Sequence, residues 1–155
     1  MLEILLAGGA ILLDRISKLW CLGSLKQMPG MKMDVIPGIV EFRYVENRGA
    51  AFSILSGRTG LLTVVTALII AGLIFYLVKY GRTESLLVRI LLSLIIGGAL
   101  GNFIDRIVYG FVIDFINPTF IRCAVFNVAD IFVTCGAILL VFAVLFLRPS
   151  KKQNG

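Results

Sequence analysis

The chain contains no histidine among its 155 residues, and this absence removes several kinds of active site. A Ser-His-Asp triad, a Cys-His pair and a rhomboid-like Ser-His pair all use imidazole as the base. Metal sites that depend on imidazole ligands are excluded for the same reason. Any acid–base chemistry must therefore rest on other side chains.

Cysteine is scarce, with three residues at positions 21, 123 and 135 and no CxxC pattern among them. A zinc site is therefore not expected. Cys21 and Cys123 fall near the same membrane face, which leaves a disulfide open. Small buried thiols are the simpler expectation for all three.

Long runs of basic residues are also missing, although the net charge is +6. The Lys and Arg residues are spread over loops and chain ends, and the longest run is Lys151-Lys152. Contact with anionic lipid headgroups accounts for this distribution better than nucleic-acid binding does. Membrane lipids are therefore expected partners, and nucleic acid is not.

Hydrophobic residues make up 59% of the chain and are concentrated in long runs. The runs at about 2–22, 60–78, 86–104 and 128–147 have the length that a bilayer-spanning helix needs. The first is the least apolar, but Asp14 and Lys18 are spaced i,i+4 and can pair on one helical face. It lacks the basic start of a signal peptide. The sequence predicts an all-α membrane protein, a four-helix transmembrane bundle in a single domain over residues 1–155.

The stretch between the first two spans has a different character. Residues 39–45 partly alternate between apolar and polar, and Pro-Gly pairs at 29–30 and 37–38 mark turns before them. We expect a small β element here, on the membrane face opposite the chain termini. Counting basic residues on the two faces does not decide which face is cytoplasmic.

Four aspartates lie in or beside the apolar runs, and only Asp114 and Asp130 lack a basic neighbour. An ionisable residue in a bilayer is costly and marks a functional site by default. Two carboxylates without cations lower that cost by sharing one proton, which is the arrangement in an aspartic protease. The pattern therefore points to a membrane aspartic peptidase. Asp14 and Asp105 fit structural roles better, as an ion pair and as a partner of a helix end or loop amide.

Amides accompany these carboxylates at one membrane face. Asn102 and Asn127 each precede an aspartate by three residues and so share its helical face, while Asn47 precedes the second span. Together with Arg106 they are candidate donors to a substrate backbone or oxyanion. Proton or ion translocation through the same carboxylates, and a purely structural polar network, remain open on pattern alone. A non-catalytic lipid-binding or assembly subunit is a further alternative.

Five ordered blocks resemble the bacterial lipoprotein signal peptidases (signal peptidase II), and together they cover nearly the whole chain. They are DRISK at 14–18, VENRGAAF at 45–52, GGALGNFIDR at 97–106, YGFVIDF at 109–115 and FNVAD at 126–130.

The resemblance implies an endopeptidase that cleaves prolipoprotein signal peptides just before a cysteine carrying a diacylglyceryl group. It implies no metal or organic cofactor, inhibition by cyclic lipopeptides such as globomycin, and a monomer in the cytoplasmic membrane with its site on the outer face. The catalytic positions of the family fall on Asp114 and Asp130. Its binding and support positions fall on Asp14, Lys18, Asn47, Gly49, Asn102, Asp105, Arg106 and Asn127.

Overall fold

The structure is a computed structural model that describes residues 1–49 and 57–147. Residues 50–52 of the second sequence block and the Lys151-Lys152 pair lie outside the described residues. The elements are, in chain order, α1 (Leu2–Gly23), two short 3-10 turns (Leu25–Gln27 and Pro29–Met31), β1 (Lys32–Ile36), β2 (Val40–Asn47), α2 (Thr59–Tyr80), α3 (Leu86–Tyr109), β3 (Val112–Pro118) and α4 (Val128–Phe146).

Three helices within the described residues, α2, α3 and α4, are long and apolar enough to cross a membrane. Their positions agree with three of the predicted spans. The fourth predicted span is also helical, since α1 covers 22 residues. However, α1 carries four charged side chains and is not among the three helices that pass the apolar test.

Helix α3 is the centre of the helical part, because it packs against α1, α2 and α4. Glycines allow the close approach. A Cβ at Gly97 would lie 2.7 Å from the Ala7 carbonyl oxygen on α1, and a Cβ at Gly98 would lie 2.6 Å from the Ala129 carbonyl oxygen on α4. Side chains at these positions would separate the helices that carry the polar residues.

The three strands form one antiparallel sheet in the order β1-β2-β3. Helix α3 ends at Gly110, whose φ of 76° is the left-handed conformation that glycine adopts without strain. The chain then turns back into β3, which pairs with β2 so that Val45 lies opposite Asp114 and Asn47 opposite Val112. This register places the Asp114 strand beside the end of β2.

The sheet packs on the C-terminal end of α1 through an apolar cluster that includes Cys21, Tyr44, Ile113 and Phe115. Trp20 stands edge-on to Phe42 and Phe115, with ring centroids 5.6 and 6.4 Å apart. The sheet is thereby fixed against the helices, and β3 has a defined position over the end of the bundle.

All three cysteines are free thiols. Cys21 is buried, as expected, but Cys123 and Cys135 are exposed, so the expectation of three buried thiols was wrong for these two. The reason is their position: Cys123 lies in the loop between β3 and α4, and Cys135 faces outward from α4.

Candidate active site

Asp114 is almost fully buried, and each of its carboxylate oxygens accepts a hydrogen bond from an amide. Asn127 Nδ2 donates to Oδ1 at 2.6 Å, and Asn47 Nδ2 donates to Oδ2 at 2.9 Å. The Asn47 amide is itself oriented, because its Oδ1 accepts from the Gly49 backbone N–H at 2.9 Å. Asp114 is therefore held in one position by neighbours on β2 and at the start of α4.

Asp130 lies in the first turn of α4, where Asn127 is the N-cap. The two residues form a capping box: Asn127 Oδ1 accepts from the Asp130 backbone N–H at 2.9 Å, and Asp130 Oδ2 accepts from the Asn127 backbone N–H at 3.2 Å. This reciprocal pair satisfies two N–H groups at the helix start. It leaves Asp130 Oδ1 to accept from Asn102 Nδ2 on α3 at 2.7 Å.

Asn127 links the two carboxylates directly. Its backbone binds Asp130, while its side-chain amide donates to Asp114 and also to Asn102 Oδ1 at 3.0 Å. Asn102 Oδ1 accepts a second hydrogen bond from Lys18 Nζ at 2.9 Å. Two donors on this oxygen fix the Asn102 amide so that its Nδ2 faces Asp130.

Beneath the amides lies a set of four charges, in which Asp14, Lys18 and Asp105 are buried and Arg15 is half-buried. Lys18 Nζ is 3.0 Å from Asp14 Oδ2 and 2.8 Å from Asp105 Oδ2. Arg15 is 2.8 Å from Asp14 and 2.7 Å from Asp105. Two cations and two carboxylates balance, which lowers the cost of burying them between α1 and α3.

Each carboxylate of this set also holds a backbone amide of an element that carries Asp114 or Asp130. Asp105 Oδ2 accepts from the Ile113 N–H at 3.1 Å, next to Asp114. Asp14 Oδ1 accepts from the Ala129 N–H at 3.1 Å, next to Asp130. The charge set therefore positions the two segments relative to one another.

Arg106, in the last turn of α3, is a further polar residue beside the two carboxylates. Its guanidinium donates to the Gly49 carbonyl at 3.5 Å, and its Nε is buried with no hydrogen-bond partner within the described residues. The side chain also lines a cleft beside Asp114 and Asp130. A donor without a partner at this place is suited to bind an incoming carbonyl.

Two clefts open from the carboxylates, each of about 610 Å³. The inner cleft borders Asp130 and Arg106 and continues along α4 past Ile131, Thr134 and Cys135. The outer cleft is formed by the end of β2 and the β3–α4 loop. It is lined by Val45, Glu46, Asn47, Asp114, Arg122, Cys123, Ala124 and Val125.

The electrostatics favour a protonated carboxyl at this site. Burial raises the pKa of Asp114 from 3.8 to about 7, and the nearby Asp130 charge adds to the increase. The hydrogen bonds from Asn47 and Asn127 and the charge of Lys18 act in the opposite direction. The pKa is raised on balance because the cost of removing a carboxylate from water exceeds the stabilisation that two neutral amide donors provide. Near neutral pH, two such carboxyls can provide one acid and one base.

No group of three His, Cys, Asp or Glu side chains suited to hold a metal ion occurs within residues 1–49 and 57–147. The donors at the site are carboxylates, amides and cations.

The structure brings together all ten residues that the sequence singled out: Asp14, Lys18, Asn47, Gly49, Asn102, Asp105, Arg106, Asp114, Asn127 and Asp130. Sequence reasoning missed Arg15, which shares both buried carboxylates with Lys18. The available signal was a second cation inside an apolar run, next to Asp14. Arg122, which lines the outer cleft, lies in a segment whose sequence has no recognisable pattern.

Comparison with known proteins identifies the family. The sequence profile described as signal peptidase (SPase) II matches residues 6–146. The chain belongs to the signal peptidase II family. Family membership makes it a membrane protease that acts on signal peptides, and it confirms the resemblance seen in the sequence blocks.

Several known proteins are similar to this chain over nearly its full length. The lipoprotein signal peptidase of Clostridium novyi is 45% identical, and the match covers 97% of this chain and all of the relative. That of Clostridium acetobutylicum is 42% identical, with 99% of both chains covered. That of Streptococcus agalactiae is 43% identical over 93% of this chain and 92% of the relative.

Solved structures agree with the fold. Two chains described as a bacterial membrane enzyme superpose with TM-scores of 0.85 and 0.80, at 32% and 33% sequence identity. The first match covers 99% of this chain and 93% of the other, and the second covers 93% and 92%. The helices and the small sheet are thus arranged as in known membrane enzymes.

Proposed function

We propose that this protein is a membrane aspartic endopeptidase that removes the signal peptide of a diacylglyceryl-modified prolipoprotein, cutting immediately before the lipidated cysteine. The observation that carries the proposal is the pair Asp114 and Asp130. Both are held by amide donors, both are joined through Asn127, and both border an open cleft. The family supports the class of substrate, since the similar full-length relatives are lipoprotein signal peptidases.

The proposed reaction follows from one shared proton. The ionised carboxylate of the pair takes a proton from water as the water oxygen attacks the scissile carbonyl carbon. The protonated carboxyl donates its proton to the carbonyl oxygen, giving a neutral tetrahedral species. This species then collapses: the protonated carboxyl donates its proton to the leaving nitrogen, the ionised carboxylate takes a proton from one hydroxyl, and the C–N bond breaks. The pair again holds one proton. The pKa of about 7 for Asp114 supports one retained proton near neutral pH.

The surrounding donors have roles that follow from their contacts. Asn47, Asn102 and Asn127 orient the two carboxylates, and Arg106 is placed to bind a substrate carbonyl. Gly49 orients Asn47, while Asp14, Lys18 and Asp105 support the segments that carry the pair. The pair and its donors all come from one chain, so a monomer is sufficient for activity.

The membrane arrangement is part of the proposal. Helix α1 joins α2, α3 and α4 as a fourth span. Its charged side chains Asp14, Arg15 and Lys18 turn inward, Glu3 pairs with Arg89 on α3, and the exposed face of α1 is apolar. A lipid-bearing peptide diffuses in the bilayer plane, so a cleft that runs along α4 is open to it. We place the site at the outer face of the cytoplasmic membrane, among membrane lipids. Cyclic lipopeptides such as globomycin would occupy the same inner cleft.

Mapping the cleaved bond tests this proposal. The purified protein in liposomes is incubated with a diacylglyceryl-modified prolipoprotein, and the products are sequenced by mass spectrometry. We expect one cut, with the lipidated cysteine as the new first residue, and no cut in the same prolipoprotein without lipid. A cut at another bond, equal cleavage of both substrates, or no cleavage would contradict the proposal.

A further inference from the structure

The outer cleft adjoins the inner cleft, and only the outer one is lined by Val45, Glu46 and Arg122. The inner cleft runs along the spanning helix α4, whereas the outer cleft lies between the end of β2 and the β3–α4 loop. Asp114 borders both clefts. A peptide cut at Asp114 can therefore extend from one cleft into the other.

The two halves of the substrate differ in polarity, and this difference indicates which half binds in which cleft. Under the proposed function, the signal peptide and the diacylglyceryl group are apolar and remain on the bilayer side. The polar mature segment that follows the cysteine must leave toward water. The outer cleft, whose lining residues all lie outside the four helices, is then the binding site for the first mature residues.

Besides Asp114, the outer cleft carries two charged side chains, and only one of these two has partners. Glu46 is neutralised by Lys26 at 3.5 Å and Arg48 at 3.2 Å, and it also accepts from the Tyr44 hydroxyl at 3.1 Å. Arg122 is exposed and has no hydrogen-bond or ion-pair partner within the part of the chain that the structure describes. Beside the Asp114 carboxyl, the cleft therefore presents one positive charge that has no partner within the described residues.

We propose that Arg122 makes the outer cleft select for an acidic side chain in the first few mature residues of the lipoprotein. This inference rests on the proposed function. An exposed ion pair is weak and is screened by salt, so the selection is a modest preference. It acts on substrate binding, because Arg122 lies in the cleft wall away from the carboxylate pair's own hydrogen bonds.

Matched substrates test this selection. Three lipidated prolipoproteins differ only in carrying Glu, Gln or Lys at the second to fourth mature positions. For the wild type we expect kcat/KM to be about fivefold higher for Glu than for Lys, through KM, with a smaller ratio at high salt. Arg122→Gln removes the preference and Arg122→Glu reverses it. The control Lys32→Gln, which removes an exposed cation on β1 outside both clefts, keeps the preference.

The outcomes separate this inference from the proposed function. Cleavage of all three substrates at equal kcat/KM overturns the role of Arg122 and leaves the peptidase intact. A preference that persists in Arg122→Gln also overturns it. Absence of cleavage by the wild type overturns the proposed function instead.

A binding measurement tests the same selection without turnover. Cys123 is exposed and borders both clefts, so its alkylation reports occupancy. A lipidated peptide that begins at the cysteine is added, and alkylation of Cys123 is followed by peptide mass spectrometry. The Glu peptide is expected to slow alkylation at lower concentration than the Lys peptide. Equal protection by both peptides overturns the inference.

Discussion

Replacing Asp114 by Asn is expected to stabilise the folded protein at alkaline pH while it removes a carboxylate of the proposed pair. The pKa of Asp114 is raised from 3.8 to about 7, chiefly by burial. A raised pKa in the folded state means that ionisation of Asp114 opposes folding. Asp114 does not lower the free energy of unfolding at a pH below the pKa that its carboxyl has in the unfolded chain. The loss of stability develops as the pH rises through the folded-state pKa of about 7.

The magnitude follows from the shift. About three pKa units correspond to roughly 4 kcal/mol of lost stability once Asp114 is ionised, and roughly 3 kcal/mol of this loss falls between pH 5 and 8. Asn removes the loss but turns one amino group toward a donating amide of Asn47 or Asn127, which costs about 1–3 kcal/mol. The net gain at pH 8 is therefore about 1–3 kcal/mol, and it vanishes near pH 5.

Thermal unfolding in detergent measures this effect through Trp20, the only tryptophan. A gain of about 1–3 kcal/mol corresponds to a rise in Tm of about 2–12 °C at pH 8. The absence of histidine keeps the interval from pH 5 to 8 free of imidazole titration. The comparison at each pH is between the variant and the wild type, so titration common to both cancels.

A contrary result would have a clear form. If Asp114→Asn unfolds at a lower temperature than the wild type at both pH values, with a difference that does not change with pH, the Asp114 carboxylate stabilises the fold. Its presence would then be explained by structure, and the reasoning from its raised pKa would fail.

Two further predictions concern the helix contacts below the site. Gly101→Ala places a Cβ 2.5 Å from Asp14 Oδ2, so we expect a loss of about 1–3 kcal/mol in thermal unfolding, whereas Gly72→Ala, with no atom within 4 Å, is neutral or stabilising. Lys18→Met leaves Asp14 and Asp105 with Arg15 as their remaining cation, so a loss of about 3–5 kcal/mol and reduced activity are expected. A Gly101→Ala or Lys18→Met protein that is as stable as the wild type would show that the buried charges tolerate displacement.

The sequence predicted the helices well, because long apolar runs have few alternatives. It placed the end of α3 near residue 104, whereas the helix continues to Tyr109. Hydropathy falls over this last part since Asn102, Asp105 and Arg106 are polar. The helix persists there because Asn102 and Asp105 find partners on α1 and β3.

The sheet was predicted only in part. The alternation at 39–45 predicted β2, but β3 gave no such signal. Its first four residues, Val112 to Phe115, are all buried, so apolar and polar positions do not alternate. The pairing that brings Asp114 beside β2 depends on the reversal at Gly110 and on tertiary packing, which local pattern does not contain.

The sequence singled out the residues that cluster in the candidate site, but it did not predict most of their contacts. Spacing alone indicated that Asp14 pairs with Lys18, and the structure shows this contact at 3.0 Å. The contact of Lys18 with Asn102 joins residues 84 positions apart and depends on how closely α1 and α3 approach. The linking position of Asn127 likewise requires β3 and α4 to meet.

The most direct test of the account is the activity of Asp114→Asn and Asp130→Asn on a diacylglyceryl-modified prolipoprotein, with Asp34→Asn as the matched control. Asp34 is an exposed carboxylate on β1 outside both clefts. We expect both site variants to fold and to lose activity by at least about 10²- to 10⁴-fold, while the control cleaves as the wild type does. Undiminished cleavage by a folded Asp114→Asn or Asp130→Asn protein would contradict the aspartic pair.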